Sequence, residues 1–372
     1  MRVVAFGTYD VVAHPRVAVL LDGLRTHGID VVECNEPLGL STADRVATLR
    51  QPWRLPRLAW FVGTRWIRLA RRARALDSPD AVVVGFLGHF DVLLARQLFR
   101  RTPVVLDHLI SAEETALDRG STKQLIITLL RWLDRLAVRS ADLVVVDTEE
   151  RGAQQSVDRS AVVVTAVGAT AEWFEVQRPP EEPGLSAERP LRVVFFGLFT
   201  PLQGAPVVGA AIRLLVADPV HITMIGSGQD LAAAVAAAGR SPNVTWRSWV
   251  DAEELPSVVA GHDVCLGIFG TGSKSLTVVP NKVFQGMAAG LAIVTSDTPP
   301  QRRLLGDAVV LVRPGDPVAL ADALRALAVN RSRLADLRAR AKDHARETMT
   351  AHAVTSELVG RLRSMSATRG VG

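Results

Sequence analysis

Two stretches of the chain open with the same arrangement of apolar and polar positions. Arg2-Val-Val-Ala-Phe-Gly7 is a short apolar run closed by glycine, followed by a turn and by Val17, Leu20, Leu21 and Leu24 at helical spacing. Leu191-Arg-Val-Val-Phe-Phe-Gly197 repeats the design, followed by Thr200-Pro-Leu-Gln-Gly204 and a segment rich in Ala, Val and Leu. A continuous apolar run bounded by glycine has no polar face, so it predicts a strand buried on both sides in a parallel sheet. Further runs lie at 81–84, 104–106 and 143–146 in the first half and at 221–225, 264–268, 292–295 and 309–312 in the second. Helical patterns lie between them, and strand alternating with helix predicts doubly wound α/β domains. Residues 177–190 hold four prolines and no periodicity, as a linker does. The pattern therefore predicts an α/β protein of two Rossmann-like domains, 1–176 and 191–350, with parallel sheets facing across a cleft. A final helical segment, 351–372, is expected to cross back to the first domain.

Composition narrows the class. The 372 residues are 48% hydrophobic and 22% charged, which excludes a disordered or collagenous chain. No apolar run approaches the roughly 18 residues of a membrane span. The amino terminus reads as a strand and lacks the apolar core and cleavage site of a signal peptide, so a cytoplasmic location is expected. Cys34 and Cys265 are the only cysteines, too few for a disulfide framework or a zinc site, and they suit a reducing compartment. Net charge is +5, and its distribution says more than its sum: residues 45–76 contain nine arginines and no acid. Trp53, Trp60, Phe61 and Trp66 lie among them. Val62, Trp66, Leu69, Ala73 and Leu76 share one helical face and Arg65, Arg68 and Arg72 another. Two readings stay open for 53–76: a peripheral contact with the anionic inner face of a membrane, or a core-facing helix with an arginine-rich solvent face. No nucleic-acid motif accompanies the charge, so nucleic acid is not expected as a partner.

In open α/β sheets, ligands bind at the carboxyl ends of strands, where loops meet helix N-termini. The Gly197–Gly204 loop is either such a ligand loop or an ordinary strand–helix connection. The turn Gly226-Ser-Gly-Gln-Asp230 is a weak signal by itself. The segment 267–290 is stronger. Its glycine-rich loop carries Lys274, and Pro280 then stands where a helix begins, with Asn281 and Lys282 in the first turn. A lysine there opposes the helix dipole, so an anion is expected to offset it. A diphosphate between backbone N–H groups and two ammoniums satisfies that requirement, the bland alternative being a solvated lysine pair.

Val279-Pro-Asn-Lys-Val-Phe-Gln-Gly-Met-Ala-Ala-Gly290, with the run 292–295 and Ser296-Asp297 after it, resembles the donor-site helix of glycosyltransferase family 4. Phe195-Phe-Gly-Leu-Phe-Thr-Pro-Leu-Gln-Gly204 resembles the family's first C-domain loop. The likeness extends over 191–345 and is looser before it. It implies the GT-B architecture and transfer of a sugar, with retention, from a nucleoside-diphosphate sugar held by the second domain. It also implies no bound metal and no cofactor beyond the donor, with a UDP-sugar the default. Gly197, Gln203, Gly204, Gly226, Lys274, Thr277, Asn281, Lys282 and Gln285 then line the donor site. The chain departs from the family at four positions: Leu198 and Gln203 stand where the family has Arg and Lys, and Thr277 and Gln285 where it has two glutamates.

The first domain is left to hold the acceptor, either a glycan, lipid-linked or a small molecule. His14, Arg16, His89, Asp107 and His108 lie at or just after predicted strand ends. His14 and Arg16 are assigned to the acceptor side. His89, Asp107 and His108 are the catalytic candidates; Gly88 frees the backbone at His89, and by the resemblance the family's catalytic-region histidine falls near Asp107-His108. Any one of these histidines could equally be a hydrogen-bonded structural residue. Two rivals remain: a catalytically degenerate partner subunit, suggested by the four departures, and a sugar-nucleotide epimerase of similar architecture. A dinucleotide oxidoreductase is disfavoured, because no Gly-x-Gly-x-x-Gly follows the first strand.

Overall fold

The computed structural model describes residues 1–11, 14–38, 55–85, 88–118, 123–177 and 189–369. Most of the expected linker, Trp53 and the arginines at 45, 50 and 54 lie outside the described residues. The chain divides into two compact units, Met1–Ala166 with residues from Ala351 onward, and Val167–Thr350. The segment 167–176 thus groups with the second unit.

Among the described residues of the first unit, six parallel strands form one sheet: β1 (Arg2–Gly7), β2 (Asp30–Asn35), β3 (Ala81–Val84), β4 (Val104–Asp107), β5 (Leu143–Val146) and β6 (Val162–Val164). Their order is β2-β1-β3-β4-β5-β6. The apolar runs are continuous because both faces of the sheet are covered. Val4, Phe6, Val82, Val84, Leu106 and Val144 face one layer, against Leu69, Val92, Ala95 and Ala137 of three helices, Leu55–Arg74, Asp91–Leu98 and Gln124–Ser140. The alternate residues Val3, Val83, Val105 and Val145 face the other, where Leu358, Val359 and Leu362 of the Ala351–Arg369 helix complete the core. That last helix packs on Pro15–Thr26, and Gly23 permits the approach: a Cβ there would collide with the Ala351 carbonyl and the Thr355 side chain.

The second unit repeats the plan with β7 (Leu191–Phe196), β8 (Val220–Ile225), β9 (Val244–Arg247), β10 (Val264–Leu266), β11 (Ala292–Ser296) and β12 (Val310–Val312), in the order β12-β11-β10-β7-β8-β9. Both sheets place their strand ends, and hence their loops, as the alternating pattern requires. Among the described residues no helix is long and apolar enough to cross a membrane.

Candidate donor site and the buried histidines

In the second unit, the loops after β7, β8 and β10 press together backbone against backbone. The Gly197 amide donates to the Ile225 carbonyl (3.0 Å) and the Phe199 amide to Ser227 (2.8 Å). Gly226 has φ +139° and no room for a side chain, since a Cβ would overlap the Gly197 carbonyl. Gly204 has φ +67°, and a Cβ there would lie 2.5 Å from the Phe269 backbone. The Phe269 amide donates to the Gln203 carbonyl (3.1 Å), and Ser275 Oγ donates to the Leu202 carbonyl (3.2 Å). These glycines are thus needed to gather three strand ends into one surface of backbone N–H and C=O groups.

The helix Asn281–Ala288 begins at Pro280, whose extended backbone (φ −77°, ψ 151°) turns the chain into it. Lys282 in its first turn is buried, and its Nζ lies 3.6 Å from the centre of the Phe195 ring. A Cβ built on Gly197 would sit 3.9 Å from Nζ, so the ammonium reaches the turn at the end of β7. It has no hydrogen-bond partner among the described residues. Burial pushes its pKa down to about 7. Beneath it, Cys265 approaches the Lys282 carbonyl at 3.5 Å, and burial pushes that thiol up to about 12. Gln285, one turn further on, is also buried, and Asn281 is half-buried. Gln203 holds its Oε1 buried without a hydrogen-bond partner among the described residues. Thr277 turns its hydroxyl back into its own loop, donating to the carbonyls of Ser273 and Lys274 (both 3.3 Å). Lys274 is half-buried on the same loop, and Leu198 is exposed. Phe195 and Ser275, which hold the site's shape, lie inside the two segments singled out from the sequence but were not named as site residues, since both are uncharged.

In the first unit, the residues expected to act together separate into two groups. Arg16 and Asp107 are both buried and bind each other, Arg16 Nε donating to Asp107 Oδ1 at 2.8 Å. Arg16 Nη1 also donates to the carbonyls of Thr165 (2.9 Å) and Ala166 (3.2 Å). The pair ties the first turn of one helix to the end of β4 and to the chain after β6. Nearby Arg151 lies 3.3 Å from Asp147 and 2.7 Å from Glu114, and burial raises the Asp147 carboxyl. His14 caps the Pro15–Thr26 helix through its carbonyl, which accepts from the Val17 amide (3.0 Å), and its side chain makes no capping bond.

The second group is His89, His108 and a residue the sequence did not single out, Asp134. His89 Nε2 lies 2.9 Å from Asp134 Oδ1, and the two imidazoles meet edge to face at 5.4 Å. His108 Nε2 is 3.9 Å from the same oxygen, too far for a hydrogen bond; among the described residues neither of its ring nitrogens has a hydrogen-bond partner, and His89 Nε2 meets Asp134 at ion-pair distance without hydrogen-bond geometry. Burial lowers the His108 pKa, so its ring is neutral at pH 7. Burial alone would raise Asp134, but the two histidines and the Ala112 amide hold its carboxyl well below the usual range. Asp134 also accepts from Ser111 Oγ (2.7 Å) and from the amides of Ala112 and Glu113 (both 3.0 Å). One ligand atom from each of the three residues lies within 4.8 Å of the others, a spacing that could hold a cation. The carboxylate, however, is already occupied on both oxygens by donors of this unit, which fits an anchor for His89 better than a metal ligand. Gly88 serves by its lack of bulk rather than by backbone freedom: a Cβ there would meet the Gly85 carbonyl at 2.7 Å.

Residues 190–330 match the family model described as Glycosyl transferases group 1. No curated protein matches the chain. Among solved structures, the chain is similar to HepE from Anabaena in complex with UDP-glucose, with a TM-score of 0.68 and 14% identity over 98% of this chain and 99% of that one. It is similar to sucrose-phosphate synthase from Thermosynechococcus elongatus, with a TM-score of 0.72 and 13% identity over 99% and 100%. The pneumococcal O-GlcNAc transferase GtfA, in complex with UDP and GlcNAc, gives a TM-score of 0.53 and 13% identity over 80% and 60%. These likenesses show the fold: two parallel α/β units of the GT-B class.

Proposed function

We propose, on the premise that this chain is a nucleotide-sugar glycosyltransferase of the group 1 family matched over residues 190–330, that its second unit binds a UDP-sugar with the diphosphate at Lys282. The observation that carries the reading is the buried Lys282 amine, which lies over the Phe195 ring, has no hydrogen-bond partner among the described residues and reaches the glycine turn at the end of β7. A buried cation without a counter-charge is costly, and a diphosphate supplies that charge. HepE and GtfA each bind UDP in their solved complexes, which favours uridine as the base.

The chemistry follows from where charge develops. As the bond from the anomeric carbon to the diphosphate stretches, negative charge grows on the leaving oxygens. Lys282 and the first amides of the Asn281–Ala288 helix stabilise that charge in a site of low dielectric. Lys274 adds a second cation from the glycine-rich loop. Gln285 and Gln203 offer amides to hydroxyl or phosphate oxygens, weaker partners than charged groups. The leaving phosphate oxygen takes the acceptor's proton, so no protein nucleophile is needed and the sugar is transferred with retention. The first unit holds the acceptor, a glycan, lipid-linked or a small molecule, and its strand ends are backed by the buried, neutral ring of His108. Asp134 holds His89 beside it.

A UDP-sugar panel incubated without acceptor tests the reading. Slow release of UDP from one donor, with the freed sugar observed by NMR in the donor's anomeric configuration, is the expected result. No release and no binding for any nucleotide would count against it. The second reading is a degenerate partner subunit. Leu198 favours it, since an exposed leucine stands where the family has arginine.

A further inference from the structure

Three helices cover one face of the first unit's sheet, so their outward sides form one surface. Leu55–Arg74 turns Leu69 and Ala73 into the core and anchors Trp66 to Asp91 through a 2.9 Å hydrogen bond from the indole N–H. Its opposite side carries Trp60, 72% exposed, and Ile67, seven residues on and also exposed. The Gln124–Ser140 helix buries Ile127, Leu130, Ala137 and Val138 and turns out Leu125 (88% exposed), Leu129 (60%) and Trp132 (58%) at spacings of four and three. Asp91–Leu98 packs against both and presents Phe90 at its start, half exposed. Large apolar side chains at helical spacing on the solvent side of neighbouring helices are not core residues, and singly scattered exposure does not produce that order.

The exposed charges of the two helices themselves have one sign, although Arg131 of the second is paired with Glu113. Leu55–Arg74 contains no acid, and the only acid of Gln124–Ser140 is Asp134, which is buried. Arg65, Arg68 and Arg72, the basic face expected from the sequence, converge on Glu36 at 4.0, 3.8 and 3.0 Å. The basic groups beside the apolar stripes are others: Arg71 on the first helix, and Arg135 and Arg139 on the second, all exposed. Tryptophan and leucine flanked by arginine match the boundary of an anionic bilayer, where the apolar ends enter the acyl region and the guanidiniums meet phosphate headgroups.

We propose that the outward faces of Leu55–Arg74 and Gln124–Ser140 form one docking surface for an anionic lipid bilayer. The inference stands apart from the donor reading, because a chain that bound no nucleotide would still dock. The full chain is tested by co-sedimentation with vesicles of phosphatidylcholine alone and of phosphatidylcholine with phosphatidylglycerol. Binding to the anionic vesicles only, weakened by salt, is expected. Two double variants, Leu129→Asp with Trp132→Asp, and Arg135→Glu with Arg139→Glu, should each lower it at least about tenfold with thermal unfolding unchanged. Undiminished binding in both variants, or no binding by the wild type, would overturn the proposal. So would a wild-type oligomer, free of lipid, that the apolar variant dissociates, since the surface would then be covered by a second copy.

Discussion

Two buried cations, one in each unit, set the terms of the account. Arg16 in the first unit is buried against the carboxylate of Asp107 and two backbone carbonyls. Lys282 in the second is buried over an aromatic ring, with no carboxylate and no hydrogen-bond partner among the described residues. Both were singled out from sequence as ligand contacts, Arg16 for its place just after a strand end and Lys282 for its place in the first turn of a helix behind a glycine-rich loop. The first charge is answered within the protein and works as architecture. The second is not, and on the proposed reading a bound diphosphate answers it.

The largest effect sharpens the first half of that comparison. Asp107→Ala leaves Arg16 as an uncompensated buried charge and should cost about 3–5 kcal/mol of stability in urea unfolding. The double variant Arg16→Met with Asp107→Leu should regain most of that loss. If Asp107→Ala instead leaves stability intact and abolishes transfer, Asp107 acts on substrate and the comparison fails.

The contrast also shows what could be seen in the sequence. Central strands such as β1, β3, β7 and β10 were legible because burial on both faces removes every polar position. Of the edge strands, β12 was legible as an apolar run, and β2, β6 and β9 were not: Asp30, Glu33 and Arg247 are exposed, and β6 has three residues only. Lys282 was legible because a lysine in a helix's first turn beside a glycine loop contradicts local electrostatics. Asp134 gave no such signal. It lies mid-helix, far along the chain from His89 and His108, and only the packing of Gln124–Ser140 brings it to them. The partners of Arg16 were invisible for the same reason, since pairing across 91 residues is a property of the fold.

Asp134→Asn is the next largest effect. It replaces a charged acceptor of several hydrogen bonds and should cost about 2 kcal/mol. It should also lower kcat more than KM for the donor, since His89 loses its anchor while the second unit is unchanged. An effect on stability alone would reduce Asp134 to a helix cap.

Lys282→Met removes a charge that the unliganded protein pays to keep. Its stability without nucleotide should be unchanged or higher, by about 1 kcal/mol or more. A substantial loss would mean that an internal partner answers the lysine.

A further effect is on pH dependence. Lys282 has a folded pKa of about 7 against an ordinary value of 10.5. Between these values the unfolded chain binds more protons, so this group makes the unliganded protein more stable as pH rises from about 7 to about 10.5. The stability curve of Lys282→Met should lack that rise. UDP binding to the wild type should carry proton uptake above pH 7, read by calorimetry in buffers of different ionisation enthalpy.

The most direct test of the central claim is the unfolding of wild type and Lys282→Met with and without UDP. At a hundredfold excess over Kd, UDP should stabilise the wild type by about 2.7 kcal/mol and leave the variant unmoved. Equal stabilisation of both proteins would contradict the claim that the unanswered lysine is the diphosphate site.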